Sequence, residues 1–250
     1  MKEAISVENL RYTYPEGTEA LRGISLKIYQ GESVGIIGPN GAGKSTFLLH
    51  LNGILPTGSS QGDGRVVVLG EEISRNDRRI RSDIGIVFQD PDEQLFMPRV
   101  FEDVAFGPLN MGLSRAEVKE RVKEALDAVN LVGFEERSPH HLSAGEKRAV
   151  AIATVISMRP QILVIDEPAS ALDPKGRRNI IHLLNTFKMT KIIATHDLEM
   201  VLEVATRCIL LDGGEIIKDA PGDEILKDKE LLEAHGLEMP LSLLLKSQGL

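Results

Sequence analysis

Residues 33–52 read SVGIIGPNGAGKSTFLLHLN, and this stretch decides the fold. An apolar, strand-like run leads to Gly38, the segment 38–45 fits the pattern G-x-x-x-x-G-K-[ST], and a helical pattern begins at Lys44. Glycines allow backbone N–H groups to turn inward around phosphate groups, and the positive end of a helix dipole adds to that attraction. The stretch therefore predicts a strand, a phosphate-binding loop and a helix within an α/β fold.

The phosphate-binding loop also predicts which residues bind the ligand. We expect Lys44 to contact the β- and γ-phosphates of a nucleotide and the hydroxyl of Ser45 to coordinate Mg²⁺. The other residues predicted to bind the nucleotide are Gly38, Asn40, Gly41, Ala42, Gly43 and Thr46.

Beyond this loop, short apolar strands alternate with helical patterns. Strands are predicted at 33–38, 84–88, 162–166, 191–195 and 208–212, and helices at 44–52, 115–129, 146–158 and 176–188. This alternation is typical of a parallel sheet covered by helices on both faces. The segments 5–14, 26–29 and 65–69 alternate more between polar and apolar residues, which predicts a small antiparallel sheet beside the core, and DGGE at 212–215 predicts a hairpin turn.

The composition limits the classes of function. The 250 residues are 42% hydrophobic and carry a net charge of −8, which disfavours nucleic acid as a partner because that binding depends on clustered Lys and Arg. The basic stretch 75–81 is predicted to be a solvated loop. One cysteine suits a reducing compartment. No apolar run approaches the roughly 18 residues that span a bilayer, so we expect another chain to hold the protein at any membrane where it works.

Two neighbouring carboxylates end the apolar run ILVIDEP at 162–168. Charges at the end of such a strand are costly unless they are paired or bind a metal, and open α/β sheets bind ligands at this edge. Because adjacent strand residues point to opposite faces, we assign Asp166 to the water-mediated shell of Mg²⁺ and Glu167 to polarising the attacking water. The alternative is that these acids cap a following helix.

Three further side chains are candidates, each with an ordinary structural alternative. His196 follows a predicted strand and is placed to donate a hydrogen bond to the γ-phosphate. Gln89 follows another strand, and its amide is suited to binding the metal or water. Tyr14 is suited to stacking on a base, but Tyr12 lies on the same strand face, so one of the two tyrosines is expected to belong to the core.

Five motifs together resemble an ABC transporter ATP-binding subunit, in order and approximate spacing: the phosphate loop, Gln89, LSAGE at 142–146, IDEP at 165–168 and His196. The resemblance covers essentially the whole chain. It implies a P-loop NTPase (RecA-like) α/β core with a mainly parallel sheet, a small antiparallel β subdomain and a helical subdomain insert. It also implies ATP as the substrate and Mg²⁺ as the cofactor.

The resemblance implies one nucleotide-binding domain over residues 1–250. Its core and antiparallel β subdomain are expected at about 1–89 and 146–220, its helical subdomain at about 90–145 and a helical tail at about 221–250.

In this family two subunits face each other head to tail, and the LSAGE-type elbow of one closes over the γ-phosphate held by the other. The residues implied to make this contact in trans are Ser143, Ala144, Gly145 and Glu146, whereas Ser170, Ala171, Leu172 and Asp173 resemble the D-loop that links the two sites. Ser143 and Glu146 also fit a helix capping box. Ala144 stands where the family usually has Gly, and its methyl group and restricted φ are expected to hinder closure. Ala169 replaces the usual Thr.

Residues 90–114, followed by PHHLSAGEKRAVAIA at 139–153, further resemble the ATPases of energy-coupling factor importers for cobalt, nickel and vitamins. The implied partners are a second ATPase subunit, in a homo- or heterodimer, a transmembrane coupling subunit and a substrate-binding membrane subunit, at the cytoplasmic face of the cell membrane. Candidates for the socket of the coupling subunit are Phe96, Met97, Val100 and Phe101, with Asp90, Asp92 and Glu93 facing its basic residues. The alternative is that the apolar residues form the core of the insert.

Two other functions stay open for the same cassette. An exporter or membrane-remodelling ATPase would differ only in its partner. A soluble mechanical ABC protein acting on nucleic acid or ribosomes is disfavoured, because the sequence has one cassette, no sustained heptads and a net negative charge.

Overall fold

A computed structural model describes residues 2–57, 62–73 and 80–247. The chain divides into a first unit, residues 1–80 and 189–250, and a second unit, residues 81–188. Residues 75–79 of the predicted basic loop lie outside the described residues, and residues 80 and 81 belong to a short helix rather than to a loop.

The strands and helices follow in chain order. The strands are β1 (Glu3–Thr13), β2 (Glu19–Tyr29), β3 (Ser33–Ile37), β4 (Gly62–Val68), β5 (Glu71–Glu72), β6 (Ile84–Val87), β7 (Ile162–Asp166), β8 (Thr190–Ala194), β9 (Arg207–Asp212) and β10 (Glu215–Pro221). The helices are α1 (Lys44–Leu51), α2 (Ile80–Asp83), α3 (Val100–Asn110), α4 (Arg115–Ala128), α5 (Ala144–Ile156), α6 (Pro174–Thr186), α7 (Leu198–Val204), α8 (Gly222–Lys227), α9 (Lys229–Ala234) and α10 (Leu241–Ser247).

The first unit contains an antiparallel sheet in the order β2-β1-β4-β5. Burial alternates along β2 from Ile24 to Ile28 and along β1 from Leu10 to Tyr12, whereas residues 4–7 of β1 are all buried. Val7 pairs with Leu26 on one side and with Val66 on the other. One face of the sheet is apolar, as the alternation predicts, and the start of β1 is buried on both faces. Helix α1 packs against β2 and β4 of this sheet.

The same unit contains parallel strands. β3 pairs in parallel with β8 and with β9, and all five residues of β3 are buried. β10 returns antiparallel to β9 through Gly213 and Gly214, both at positive φ, as the turn signal predicts. Helix α1 also contacts β8, and helices α7 and α8 pack on β3 and β9 respectively. The α/β architecture with a separate antiparallel sheet is thus confirmed.

The second unit combines two parallel strands with a cluster of helices. β6 and β7 run in parallel register from Ile84↔Ile162 to Val87↔Ile165. Helices α3, α4 and α5 pack on one another, and α5 also packs on β6. Residues 148–153 of α5 are all buried, so this helix is covered on every side and lies in the core of the second unit.

The structure differs from the sequence prediction mainly in its helices. α7 is not anticipated, because only the capping residue Asp197 marks its seven residues. α3 is a regular helix although Pro108 lies inside it. In the described part of the chain no helix is long and apolar enough to cross a membrane.

His50 is a buried titratable group near the end of α1. Its side chain is 0% exposed, its ring stands edge-on to that of Tyr12 with centroids 4.8 Å apart, and burial lowers its pKa to about 4. Histidine in an unfolded chain has a pKa of about 6.5. The folded state therefore requires a neutral imidazole.

We expect the stability of the chain to fall as the pH drops through this window. Because the folded pKa lies below the unfolded one, the unfolded chain binds more protons between about pH 6.5 and 4, which costs about 2 kcal/mol at pH 5. Urea unfolding of wild type and His50→Leu at pH 7.5 and pH 5 measures this difference. The variant should lack this part of the pH dependence, and parallel losses in both proteins would contradict the assignment to His50.

Candidate functional site

The loop between β3 and α1 requires glycine at two positions. Gly38 has φ 152°, and a Cβ there would lie 2.0 Å from the carbonyl oxygen of Leu211. Gly43 has φ 99°, and a Cβ there would lie 2.6 Å from the carbonyl oxygen of Ala20. Any side chain would therefore push the loop out of place.

Lys44 extends across this loop. Its ammonium group donates to the carbonyl oxygens of Gly38, at 2.8 Å, and Pro39, at 3.0 Å. Gly43 is the N-cap of α1, and among the described residues no side chain caps this helix start and its first turn holds no acid. A buried cation and an uncapped helix start together form a site that suits phosphate. Ser45 is exposed beside them.

Tyr14 lies next to the same helix. Its hydroxyl is hydrogen-bonded to Oγ1 of Thr46 at 2.9 Å, and its ring meets that of Tyr12 edge to face with centroids 5.0 Å apart. Tyr12 is buried, whereas Tyr14 is half-buried. Tyr12 is thus the core member of the pair, and Tyr14 is the less buried tyrosine, next to the first turn of α1.

His196 lies at the same sheet edge as the loop. The N–H of Thr195 donates to the carbonyl of Ile36 at 3.1 Å, so the end of β8 is adjacent to the end of β3. His196 is exposed there, and the next residue, Asp197, caps α7 by accepting from the N–H of Met200.

The second unit brings Gln89 and two acids to one edge of its strands. Val87 pairs with Ile165, so Gln89 and Glu167 each follow that pair by two residues. Asp166 and Glu167 are buried, and Glu167, 6% exposed, has φ 45°. A non-glycine residue in the left-handed region is strained and is often found at functional sites. The helix that follows is capped by Asp173, which excludes the alternative that Asp166 or Glu167 caps it.

The elbow at 143–146 is a complete capping box. The backbone N–H and the hydroxyl of Ser143 both donate to Oε2 of Glu146, at 2.8 and 2.7 Å, and the Ser143 side chain accepts from the N–H of Glu146. These bonds, the hydroxyl first, hold the pKa of Glu146 below its ordinary value. Ala144 begins α5 and is not at positive φ, so the expected backbone restriction at this alanine does not arise.

The elbow lines an open cleft together with the D-loop residues. The cleft has a volume of about 740 Å³ and is bordered by residues 143–146, by Ala171, Leu172 and Asp173, and by α6. Ala171 has φ 61°, and Asp173 accepts from the N–H of Gly176 to begin α6. A Cβ on Gly145 would meet nothing within 4 Å, so the chain leaves open space beside the elbow.

Sequence reasoning missed the residues that hold Gln89 in place. Arg148, on α5, donates to the carbonyls of Phe88 at 2.7 Å and Gln89 at 2.5 Å. Burial lowers the pKa of Arg148, and the carboxylates of Asp90, Asp166 and Glu167 oppose that effect. A single arginine within an apolar helical pattern gives no sequence signal of such a contact.

The described residues contain no group of three or more His, Cys, Asp or Glu side chains that could hold a metal ion. Mg²⁺ bound with a nucleotide takes most of its ligands from phosphate and water, with one or two from the protein.

The family model described as ABC transporter matches residues 21–170. A putative ABC transporter ATP-binding protein of Gloeobacter violaceus is 51% identical over 246 residues, covering 97% of this chain and 99% of the relative. The energy-coupling factor transporter ATP-binding protein EcfA of Methanothermobacter thermautotrophicus is 48% identical over 242 residues, covering 94% of this chain and 76% of the relative.

A solved structure covers the full length of both chains. It is CbiO1 of Clostridium perfringens, part of the ABC transporter complex CbiONQ, with 36% sequence identity and a TM-score of 0.81 over 100% of each chain. The fold is thus shared with a component of an ABC transporter complex.

Proposed function

Because this chain belongs to the ABC transporter family, as an ATP-hydrolysing transporter subunit, we propose that it powers an importer of the energy-coupling factor type. The observation that carries the ATPase part is the phosphate loop, where a buried lysine lies across carbonyl groups at an uncapped helix start. The likeness to EcfA and CbiO1 supports the importer part.

The roles of the individual residues follow from their chemistry. Lys44 and the N–H groups of the loop hold the phosphates of ATP, while Thr46 anchors Tyr14 so that its ring stacks on the base. Glu167 accepts a proton from the attacking water as general base. His196 donates a hydrogen bond to the γ-phosphate and so responds to its presence.

Three oxygen groups are proposed to serve the metal. The hydroxyl of Ser45, the amide of Gln89 and the carboxylate of Asp166, the last through water, are oxygen donors of the kind that Mg²⁺ prefers. The bound ion supplies positive charge to the phosphate oxygens. Asp166 and Gln89 fit this task because the parallel register of β6 and β7 brings them to one edge.

A second ATPase chain is proposed to complete the site. The elbow of that chain, equivalent to residues 143–146, contacts the γ-phosphate held by this chain, and the D-loop residues 170–173 line the same approach. The open space at Gly145 and the cleft of about 740 Å³ support this arrangement. Closure of the dimer on ATP and its opening after hydrolysis then drive the membrane partner from the cytoplasmic face.

The second unit also offers a surface for that membrane partner. The docking patch consists of Phe96, 59% exposed, and the exposed Phe106, Leu109 and Met111. The Phe96 and Phe106 rings meet edge to face with centroids 5.1 Å apart. Exposed apolar clusters of this kind mark interaction sites. We assign the patch to an apolar helix of the transmembrane coupling subunit.

Of the four residues expected to form the socket, Phe96 lies in the patch and Val100 in the core, whereas Met97 and Phe101 are half-buried. Val100 is fully buried, so it belongs to the core of the second unit, as the alternative reading has it. Asp103, also buried, accepts from the N–H groups of Phe96 and Met97 and so holds their loop against α3. Of the acidic residues expected to face basic residues of the coupling subunit, Asp92 is ion-paired with Lys147 of its own chain.

We expect Phe96→Ser/Phe106→Ser to weaken binding to the membrane coupling subunit at least about tenfold, since aromatic anchors carry much of the energy of apolar interfaces. ATP binding should stay unchanged, because neither side chain belongs to the phosphate loop. Co-purification from membranes and titration of the coupling subunit measure the effect. Ile217→Ser, at an exposed apolar position on β10, is the matched control. Equal binding of the double variant and the control would contradict the docking assignment.

A further inference from the structure

Arg148 binds the backbone just after the end of β6. The strand ends at Val87, and the next two carbonyl groups, of Phe88 and Gln89, both accept hydrogen bonds from the Arg148 guanidinium. Arg148 is only 2% exposed. Its two terminal nitrogens therefore set the direction of two successive peptide groups inside the protein, which a planar fork can do and a single ammonium cannot.

Gln94 holds the opposite side of the same segment. Its Oε1 accepts from the N–H of Phe88 at 3.1 Å, and its Nε2 donates to the carbonyl of Ala151 at 2.8 Å and to Oγ1 of Thr154 at 2.7 Å. Phe88 is thus bound through both its N–H and its carbonyl to groups that lead to α5.

A third link joins the two segments further along. Lys147, the neighbour of Arg148, pairs with Asp92 at 2.6 Å. Residues 88–94 are consequently attached to α5 at three points, and α5 begins at the elbow 143–146.

The stability of α5 alone does not account for a buried arginine at this position. Its Nε is buried and makes no hydrogen bond within the described ranges, and an unsatisfied buried donor costs about 1–3 kcal/mol. An apolar side chain would satisfy the packing of the helix without that cost. Compared with an apolar side chain, the guanidinium contributes the two hydrogen bonds to the carbonyls of Phe88 and Gln89.

We propose that Arg148 is a positioning residue that fixes the backbone at Gln89 and thereby presents the Gln89 amide to the metal–nucleotide complex. The inference rests on the proposed role of Gln89 in binding the metal. Since Arg148 lies on the helix that the elbow begins, the same contact ties the orientation of Gln89 to the helix that meets the second ATPase chain.

The test compares Arg148→Met, Arg148→Lys, Gln89→Ala and the Gln89→Ala/Arg148→Met double variant in the full-length chain. The first readout is the affinity for Mn²⁺, followed by electron paramagnetic resonance in the presence of a non-hydrolysable ATP analogue. The second is hydrogen–deuterium exchange of the segment 88–94. Binding of the analogue without metal, and the melting temperature, report whether loop and fold are intact.

We expect Arg148→Met to weaken Mn²⁺ binding about tenfold, as loss of a group that orients a metal ligand does. Exchange in 88–94 should become faster, whereas metal-free analogue binding stays at the wild-type level. Arg148→Lys should recover part of the affinity through one remaining hydrogen bond. The double variant should bind Mn²⁺ no more weakly than Gln89→Ala, because both changes remove the same interaction.

Three results would overturn the proposal in distinguishable ways. If Gln89→Ala weakens Mn²⁺ binding but the double variant shows the product of both losses, Arg148 acts independently of Gln89 and only the positioning role fails. If Gln89→Ala binds Mn²⁺ like wild type, the proposed metal role of Gln89 fails and the inference falls with it. Should Arg148→Met fail to fold, wild-type Mn²⁺ affinity and exchange in Arg148→Lys would refute the need for the fork.

Discussion

Glu167→Gln should bind ATP like the wild type and turn it over at least about 100-fold more slowly, because a general base contributes about that much to a rate. The amide keeps the size and much of the hydrogen bonding of the carboxylate but cannot take a proton from water. The residue is buried and has φ 45°, a strained backbone conformation of the kind found at functional sites. The variant should therefore accumulate as a closed, ATP-bound dimer.

Steady-state ATPase assays and size-exclusion chromatography with ATP measure both effects. Glu124→Gln makes the same chemical change at an exposed site of the second unit, where the carboxylate pairs with Arg159, and should keep wild-type turnover. Wild-type turnover by Glu167→Gln would remove Glu167 from the mechanism.

Lys44→Ala should weaken ATP binding about 100-fold, since removing one member of a buried charge pair costs several kcal/mol. Its ammonium group bridges the loop through the carbonyls of Gly38 and Pro39, and no other residue of the loop carries a positive charge. Fluorescence titration with a nucleotide analogue measures the affinity. Lys227→Ala, a change at an exposed lysine paired with Asp223, is the control. Equal nucleotide affinity in both variants would contradict the role of Lys44.

The sequence predicted those parts of the site whose residues lie next to one another in the chain. The loop at 38–45 is recognisable because strand, glycines, lysine and helix follow one another within a short stretch, and the structure gives Gly38 and Gly43 backbone angles that disfavour other residues. The capping box is likewise local, because Ser143 and Glu146 are only three positions apart in the sequence.

The parts that could not be predicted depend on residues distant in sequence. Arg148 reaches Phe88 and Gln89 across about sixty positions, and nothing in the helical pattern of α5 marks which polar residue turns inward. The sequence alone could not tell which of Tyr12 and Tyr14 lies next to the loop. The answer depends on the position of α1, because Thr46 of that helix is hydrogen-bonded to Tyr14.

In the helical part of the second unit, the sequence likewise did not predict which side chains are buried. Pro108 argues against a helix interior, because proline removes a hydrogen bond, yet α3 continues through it. Only the folded helix shows that Phe106, Leu109 and Met111 are exposed while Val100 is buried. An apolar sequence run alone does not tell a core face from a docking patch.

The central claim is that two chains complete each ATP site, and mixing two inactive variants tests it most directly. Lys44→Ala lacks the cation of the loop but keeps an intact elbow. Gly145→Asp keeps the loop but places a negative charge at the elbow, in a position where its own chain leaves the added Cβ free. Each variant alone should have no working site.

The measurement is the ATPase rate of the two variants, separately and after mixing at equal concentration, in a preparation where the wild-type chain alone hydrolyses ATP. Random pairing gives mixed dimers with one intact loop facing one intact elbow, so the mixture should regain about a quarter of the wild-type rate. A mixture that stays as inactive as its components, although both variants fold and form dimers, would contradict a site shared between two chains.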